Sequence, residues 1–245
     1  MVSENQLWLS LAIGNSRWHW ALFDGVTLKQ TWDSDRNQNP AIRQEPPLPL
    51  VLASVVPQET GLWQSYPDLR IITLENLPLK GLYPTLGIDR ALAVLGGGSV
   101  LGWPILAIDA GTALTFTGAE FDGTLVGGAI LPGLKLQLSS LAEKTAALPP
   151  LELPQALPQR WARNTPEAIY SGTIYTILAG IREFIEAWQQ QFPDSKIAIT
   201  GGDRSLLLLY LQKIWPHLAA SIIDAPHLVF WGMRQWKLWA DTAEF

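Results

Sequence analysis

The chain has no cysteine in its 245 residues, which excludes a disulfide framework, a thiolate zinc site and a cysteine nucleophile. Charge is also scarce. Charged residues make up 16% of the chain, and 17 Lys+Arg stand against 22 Asp+Glu for a formal net charge of −5. The basic residues form no stripe that could displace counterions from a phosphate backbone, so no nucleic-acid partner is expected. The three histidines, His19, His217 and His227, lack metal-ligand spacing. The opening MVSENQLWLSLAIGN has no basic stretch leading into a long apolar run and a small-residue cleavage site. No secretory signal is read there, and a cytoplasmic location is the default expectation. The G-x-x-x-x-G-K-[ST] pattern is missing, and Gly96-Gly97-Gly98 does not supply G-x-G-x-x-G spacing, which disfavours the commoner nucleotide folds. The uncharged stretch from Ala91 to Ile108 approaches the roughly 20 residues of a membrane span. Its glycines 96, 97, 98 and 102 and Pro104 read instead as a helix end, a turn and a new strand, so no membrane partner is expected.

Apolar residues, 48% of the chain, are enough for a substantial core. Most of the 12 Trp stand beside apolar neighbours and read as packing. The chain also repeats itself. Ala12-Ile13-Gly14-Asn15-Ser16 leads into an apolar run ending Phe23-Asp24-Gly25; 97 residues on, Asp109-Ala110-Gly111-Thr112 leads into one ending Phe121-Asp122-Gly123. Each segment reads as strand, glycine turn, hydroxyl residue, strand and Asp-Gly hairpin turn, opening two related domains at residues 1–104 and 105–245.

Strands are expected at Leu7–Ile13, Trp18–Phe23, Leu50–Val55, Arg70–Leu74, Ile105–Ile108, Leu114–Gly118, Thr124–Leu131 and Lys196–Thr200. Helices are expected at Asp89–Leu95, Pro166–Gln190, Ser205–Trp215 and His227–Trp239, and four prolines between Leu148 and Pro158 predict a loop. The pattern is α/β with a mixed sheet in each half. A glycine turn with a neighbouring hydroxyl suits phosphate oxygens, because backbone N–H groups stand open to the ligand. Each turn alone reads more readily as a plain hairpin turn; as a repeated pair they favour a nucleotide cleft.

These residues resemble the type III pantothenate kinases. Gly14-Asn15-Ser16 is similar to the first phosphate motif, D-x-G-N-T, and Asp109-Ala110-Gly111-Thr112 to the second, D-x-G-T. Tyr83-Pro84 and Leu86-Gly87-Ile88-Asp89-Arg90 are similar to the substrate segment with its G-x-D-R. In order after these stand Gly127-Gly128, Pro132-Gly133, Thr145-Ala146 with Leu148-Pro149, Asn164-Thr165 with Ala168 and Gly172, and Gly201-Gly202. The resemblance covers nearly the whole chain. It implies the two-domain fold of the actin, Hsp70, acetate and sugar kinase (ribonuclease H-like) group, with a nucleotide cleft between the domains.

The implied activity is transfer of the γ-phosphoryl group of ATP, bound with Mg²⁺, to the primary hydroxyl of pantothenate, the first step of coenzyme A biosynthesis. Asp89 is the implied general base. Tyr83, Gly87, Ile88, Asp89, Arg90 and Thr165 are the implied pantothenate residues. The run Ala12, Ile13, Gly14, Asn15, Ser16, Arg17, Trp18, His19, together with Gly111, Thr112, Gly201 and Gly202, is the implied ATP contact, and Asp109 the implied ligand of a monovalent cation, K⁺ or NH₄⁺. The residues alone admit plainer readings: Asp89 as a helix-start acid, Tyr83 as a buried aromatic, Asp109 as a turn cap and Asp203 as the cap of the next helix.

A homodimer with composite sites is also implied. Thr165 matches a Thr that reaches the neighbouring subunit's pantothenate, and the helix it starts has more apolar positions than one face needs, with Gly172 and Gly180 permitting close approach. Burial of that helix against its own sheet is the alternative. One position departs from the pattern. Where the first motif begins with Asp, this chain has Ala12, and a methyl group cannot bind a cation. Either water, Asp109 or another acid compensates, or the protein is a catalytically weakened ligand-binding or regulatory relative.

Overall fold

The computed structural model describes residues 6–35, 47–144 and 148–242. Thr145 and Ala146 lie outside the described residues. The chain forms two compact units. The first comprises Met1–Leu101, Asp122–Leu125 and His227–Phe245, and the second Gly102–Phe121 and Val126–Pro226.

In the first unit, β1 (Leu7–Ile13) and β2 (Trp18–Asp24) form an antiparallel hairpin around the Gly14 turn, with Ile13 opposite Trp18. β3 (Thr27–Ser34) follows antiparallel to β2, and β4 (Leu50–Ser54) and β5 (Leu69–Ile71) add in parallel on the other side of β1, giving the order β3-β2-β1-β4-β5. β1 is apolar on both faces because both are covered. On one face Leu9, Leu11 and Ile13 pack with Trp18, Trp20, Leu50 and Leu52 and with Trp63, which a single 3-10 turn carries after the short helix α1 (Pro57–Thr60). On the other, Trp8, Ala21, Phe23, Val51 and Ala53 pack against α2 (Ile88–Leu101) and the C-terminal helix. Each fully buried Leu, Ile or Phe contributes about 1.5–3 kcal/mol.

The expected end of α2 at the three glycines is wrong: the helix runs through Gly96, Gly97 and Gly98 to Leu101. A glycine costs about 1 kcal/mol inside a helix, and here it is needed for close approach. A β-carbon on Gly96 would overlap the carbonyl oxygen of Leu228, and one on Gly232 would overlap that of Leu92. The chain turns only at Gly102, whose φ is +104°. The stretch from Ala91 to Ile108 is therefore helix, turn and strand. Among the described residues no helix is long and apolar enough to cross a membrane.

The second unit repeats the plan. β6 (Ile105–Ala110) and β7 (Ala113–Ala119) form the hairpin at Gly111, β8 (Leu125–Pro132) lies beyond β7, and α3 (Leu134–Lys144) follows. Residues 148–158 are without helix or strand, as their prolines predict. α4 (Thr165–Gln191) starts where Asn164 Oδ1 accepts the N–H of Glu167 at 3.0 Å, with Pro in its first turn. It buries Ile174, Ile177, Leu178, Ile181, Ile185 and Trp188 at three- and four-residue spacing. β9 (Lys196–Thr200), α5 (Arg204–Ile214), α6 (Pro216–Ser221) and β10 (Ile222–Asp224) complete a sheet of order β10-β9-β6-β7-β8. Thus β8, β7, β6, β9 and β10 take the places of β3, β2, β1, β4 and β5.

The last helix, α7 (Leu228–Thr242), packs on α2 in the first unit, whereas a division at residues 104 and 105 would leave it in the second. The reason is the Gly96–Gly232 crossing. Six of the tryptophans, Trp8, Trp18, Trp20, Trp63, Trp188 and Trp236, are buried as packing residues, while Trp161 is 86% exposed.

Candidate active site

The first glycine turn is four residues long, Gly14 to Arg17, closed by the N–H of Gly14 donating to the Arg17 carbonyl at 3.0 Å. Asn15 and Ser16 are exposed, as a ligand-binding turn requires; Ile13 and Trp18, in the same run, are buried in the core. Trp18 Nε1 donates to the Glu59 carboxylate of α1, tying the turn's return strand to the helix beside it. Ala12 stands opposite Ala53 on β4 and His19 on β2, and His19 stands opposite Asp33 on β3. Cross-strand partners share a face of the sheet. His19 Nδ1 is 2.7 Å from Asp33 Oδ1, and Arg17 Nη1 is 3.5 Å from Asp33 Oδ2.

The segment from Tyr83 to Arg90 lies in the same unit. Leu86 donates its N–H to the Tyr83 carbonyl at 3.0 Å, turning the chain into α2, whose first turn holds Asp89. Leu86 and Ile88 are buried in the cluster against which Ala12 packs, so the Ile88 side chain is an anchor of this segment. Asp89 Oδ1 accepts the Arg90 N–H at 2.8 Å. A β-carbon on Gly87 would lie 2.5 Å from that oxygen, so glycine leaves room for the carboxylate. Burial raises the Asp89 pKa above the ordinary carboxylate value, against the opposing pull of the hydrogen bond and the Arg90 charge. Arg90 is itself buried, and its Nη1 donates to the Tyr83 hydroxyl at 3.0 Å. The Asp89, Arg90 and Tyr83 side chains are thus brought to one place.

In the second unit Asp109 occupies on β6 the position that Ala12 occupies on β1. It stands opposite Thr115 on β7 and Thr200 on β9, so the row crossing this sheet carries oxygen on three adjacent strands. The second turn is shorter, with Gly111 N–H donating to the Ala113 carbonyl at 3.0 Å and Thr112 exposed. Gly133 donates to the Thr112 carbonyl at 2.9 Å, so the start of α3 closes on this turn. Gly201, at φ +91°, reaches the same place. A β-carbon there would lie 2.5 Å from Asp109 Oδ1 and from the Ala110 carbonyl oxygen, which explains a residue without one. Gly202 faces open space.

The Asp203 N–H donates to Ala110 at 2.9 Å, yet its side chain makes no capping bond to α5, contrary to the expected helix cap; its Oδ1 pairs with Lys135 Nζ at 3.1 Å. Arg204 donates from Nε to Asp224 at 2.8 Å and from Nη1 to the Gly201 carbonyl at 3.1 Å. Lys135, Arg204 and Asp33 border these turns and were not singled out from sequence; Lys135 stands two residues after Gly133, the one signal that could have drawn attention to it. Thr165 is exposed at the first position of α4. Among the described residues no three His, Asp or Glu gather into a metal cluster.

Two sheets of one strand order, each opening with a glycine-turn hairpin, have the fold of the actin, Hsp70, acetate and sugar kinase group. The structure is similar to that of a conserved Campylobacter jejuni protein provisionally described as a Baf family transcriptional activator, with a TM-score of 0.70, 19% identity and coverage of 96% of this chain and 100% of that one. It is also similar to the activator of the 2-hydroxyisocaproyl-CoA dehydratase from Clostridium difficile, solved with ADPNP bound, with a TM-score of 0.52, 10% identity and coverage of 98% and 99%. The family model for type III pantothenate kinase matches residues 8–187. A type III pantothenate kinase of Nostoc sp. is 52% identical over 260 residues, covering 94% of each chain. The chain belongs to the type III pantothenate kinase family.

Proposed function

We propose that the protein transfers the γ-phosphoryl group of ATP to the primary hydroxyl of pantothenate, giving 4′-phosphopantothenate at the start of coenzyme A biosynthesis. The observation that carries this reading is Asp89, half-buried in the first turn of α2 beside the Arg90–Tyr83 pair, with its pKa raised by desolvation. Burial makes its carboxylate a better proton acceptor than an exposed one. In this reading Asp89 accepts the hydroxyl proton as the oxygen–phosphorus bond forms, while Arg90 and Tyr83 hold the pantothenate carboxylate. Gly87 and Ile88 shape the segment through backbone and packing.

ATP's phosphates engage the Gly14 turn, from Ala12 to His19, and the Gly111-Thr112 turn, with Gly201 and Gly202 under the adenosine. Mg²⁺ comes with ATP and neutralises phosphate charge. Asp109 is the proposed ligand of K⁺ or NH₄⁺; the oxygen-bearing row of Thr115, Asp109 and Thr200 fits a hard cation. We also propose a cytoplasmic homodimer in which Thr165 completes the partner's pantothenate site. The exposed position of Thr165 and the open space at Gly172 and Gly180 support it.

The test is ATP-dependent phosphorylation of pantothenate, with and without K⁺. Phosphopantothenate should form, faster with K⁺, and its absence under both conditions counts against the reading. Mixing Asp89→Asn with Thr165→Ala protein should restore part of the activity, because exchanged subunits recreate one intact site; no recovery after confirmed exchange would count against shared sites.

A further inference from the structure

We propose that Asp33, on β3, is a positioning residue for the first phosphate turn, acting through His19. The inference rests on the reading that the Gly14 turn takes ATP's phosphates. It starts from alternation along β2: Trp18 is buried in the core, so its strand neighbour His19 falls on the opposite side. That side is Ala12's, since His19 is Ala12's cross-strand partner. Asp33 is in turn the partner of His19, and a single row reads Ala12, His19, Asp33 across three strands.

The His19 ring bridges this row to the turn. Its Nδ1 side meets Asp33 Oδ1 at 2.7 Å. Its other nitrogen, Nε2, lies beside Gly14, 3.8 Å from where a β-carbon on that glycine would stand. When the ring carries both protons, Nδ1–H goes to Asp33 and Nε2–H remains for an anion on the Gly14 turn. The same carboxylate faces Arg17, whose backbone carbonyl closes the turn. Asp33 therefore fixes the aim of the His19 ring at the turn, while its longer 3.5 Å contact leaves the Arg17 guanidinium with donors to spare.

Ala12 gains a meaning from this row. An aspartate at 12 would stand directly across from His19, at the ~5 Å separation of cross-strand pairs, and would offer the ring a competing carboxylate. With alanine there, the row's acid sits two strands further out, where it can hold His19 without crowding the phosphates. An exposed ion pair alone contributes little; the effect is one of aim.

The experiment measures ATP affinity by equilibrium binding, independent of turnover, together with kcat and both KM values. Asp33→Ala should weaken ATP binding and raise the KM for ATP about tenfold, as expected for a charge-assisted contact, with kcat within about twofold and the pantothenate KM unchanged. Asp33→Asn, nearly isosteric, should lie between, and Asp33→Glu should retain most affinity. In a His19→Ala background, Asp33→Ala should add less than about twofold. Unchanged ATP affinity in Asp33→Ala, or an equal loss with and without His19, would overturn the proposal. Wild-type protein that binds no ATP would take down the phosphate-turn reading and this one together. Wild-type protein that binds ATP but leaves pantothenate unphosphorylated would sink only the proposed function, and the variant affinities would still decide the role of Asp33.

Discussion

The two sheets share a strand order and an opening hairpin, but the row of residues that crosses each beside its glycine turn is different. In the second sheet the row is Thr115, Asp109, Thr200, with a carboxylate on the strand that leads into the turn. In the first it is Asp33, His19, Ala12, Ala53: the carboxylate has moved two strands outward and an imidazole lies between. The first turn is also longer, running from Gly14 to Arg17 against Gly111 and Thr112. Strand order is set by apolar patterning and the twisted packing of layers, so it survives changes at turn tips. The tips are free to diverge, and in the proposed function one half takes the reacting hydroxyl and its base and the other the cation and nucleoside.

That division of labour can be broken most severely at Asp89. Asp89→Asn should lower kcat by about 10³-fold, the scale of a lost general base. The same change should raise the melting temperature. A carboxyl whose folded pKa is raised by burial stabilises the fold fully below its unfolded pKa and loses that contribution as pH rises through the folded value, so near neutrality the ionised group is a burden that Asn removes. In the wild-type enzyme kcat/KM should fall on the acid side at a pH above the ordinary carboxylate range. An Asn variant with near-wild-type turnover would remove Asp89 from the chemistry.

A stability test separates the units next. Gly96→Ala should destabilise the first unit by about 3 kcal/mol, at the upper end of overpacking costs, because the added carbon meets the backbone of α7 rather than a movable side chain. Denaturant unfolding would measure it, and a neutral result would mean that the crossing relaxes. Asp109→Asn acts on the second unit alone. It should weaken activation by K⁺ about tenfold, since cation affinity follows ligand charge, and leave the pantothenate KM unchanged; titration of activity against K⁺ reads this directly. The smallest effect is expected at Ala12. Ala12→Asp should lower activity by about threefold or less, because the new charge would sit among phosphates and opposite His19. A large gain from a nearly inactive parent would instead identify a weakened kinase awaiting restoration.

Much of this was legible before any coordinates. β1 and β9 occupy their expected residues, and α4 differs by one residue at each end. The repeat also located both turns. What failed to show was whatever depends on distant partners or on polar strands. β3, TLKQTWDS, is an edge strand with little apolar signal, and β10 is only three residues long. α3 buries only Leu134 and Leu138, too few for a period to stand out. The three glycines of α2 look like a stop signal locally, and the backbone that Gly96 approaches lies more than 130 residues later in α7. Among the candidate residues of the two units, Asp89, Arg90 and Tyr83 carry a motif; Asp33, Lys135 and Arg204 do not, since each acquires its neighbours only when the strands and helices of its own unit pair.

The return of α7 to the first unit bears on how the chain is made. During synthesis the amino-terminal residues emerge first, and β1 to β5 with α2 are available long before residues 228–242 leave the ribosome. Until then the ridge of α2 around Gly96 and the apolar residues Leu92 and Leu95 have no cover from Phe230, Met233 and Trp236. The half translated first is therefore completed last, and the intervening unit reaches full length while its predecessor still waits for its final helix.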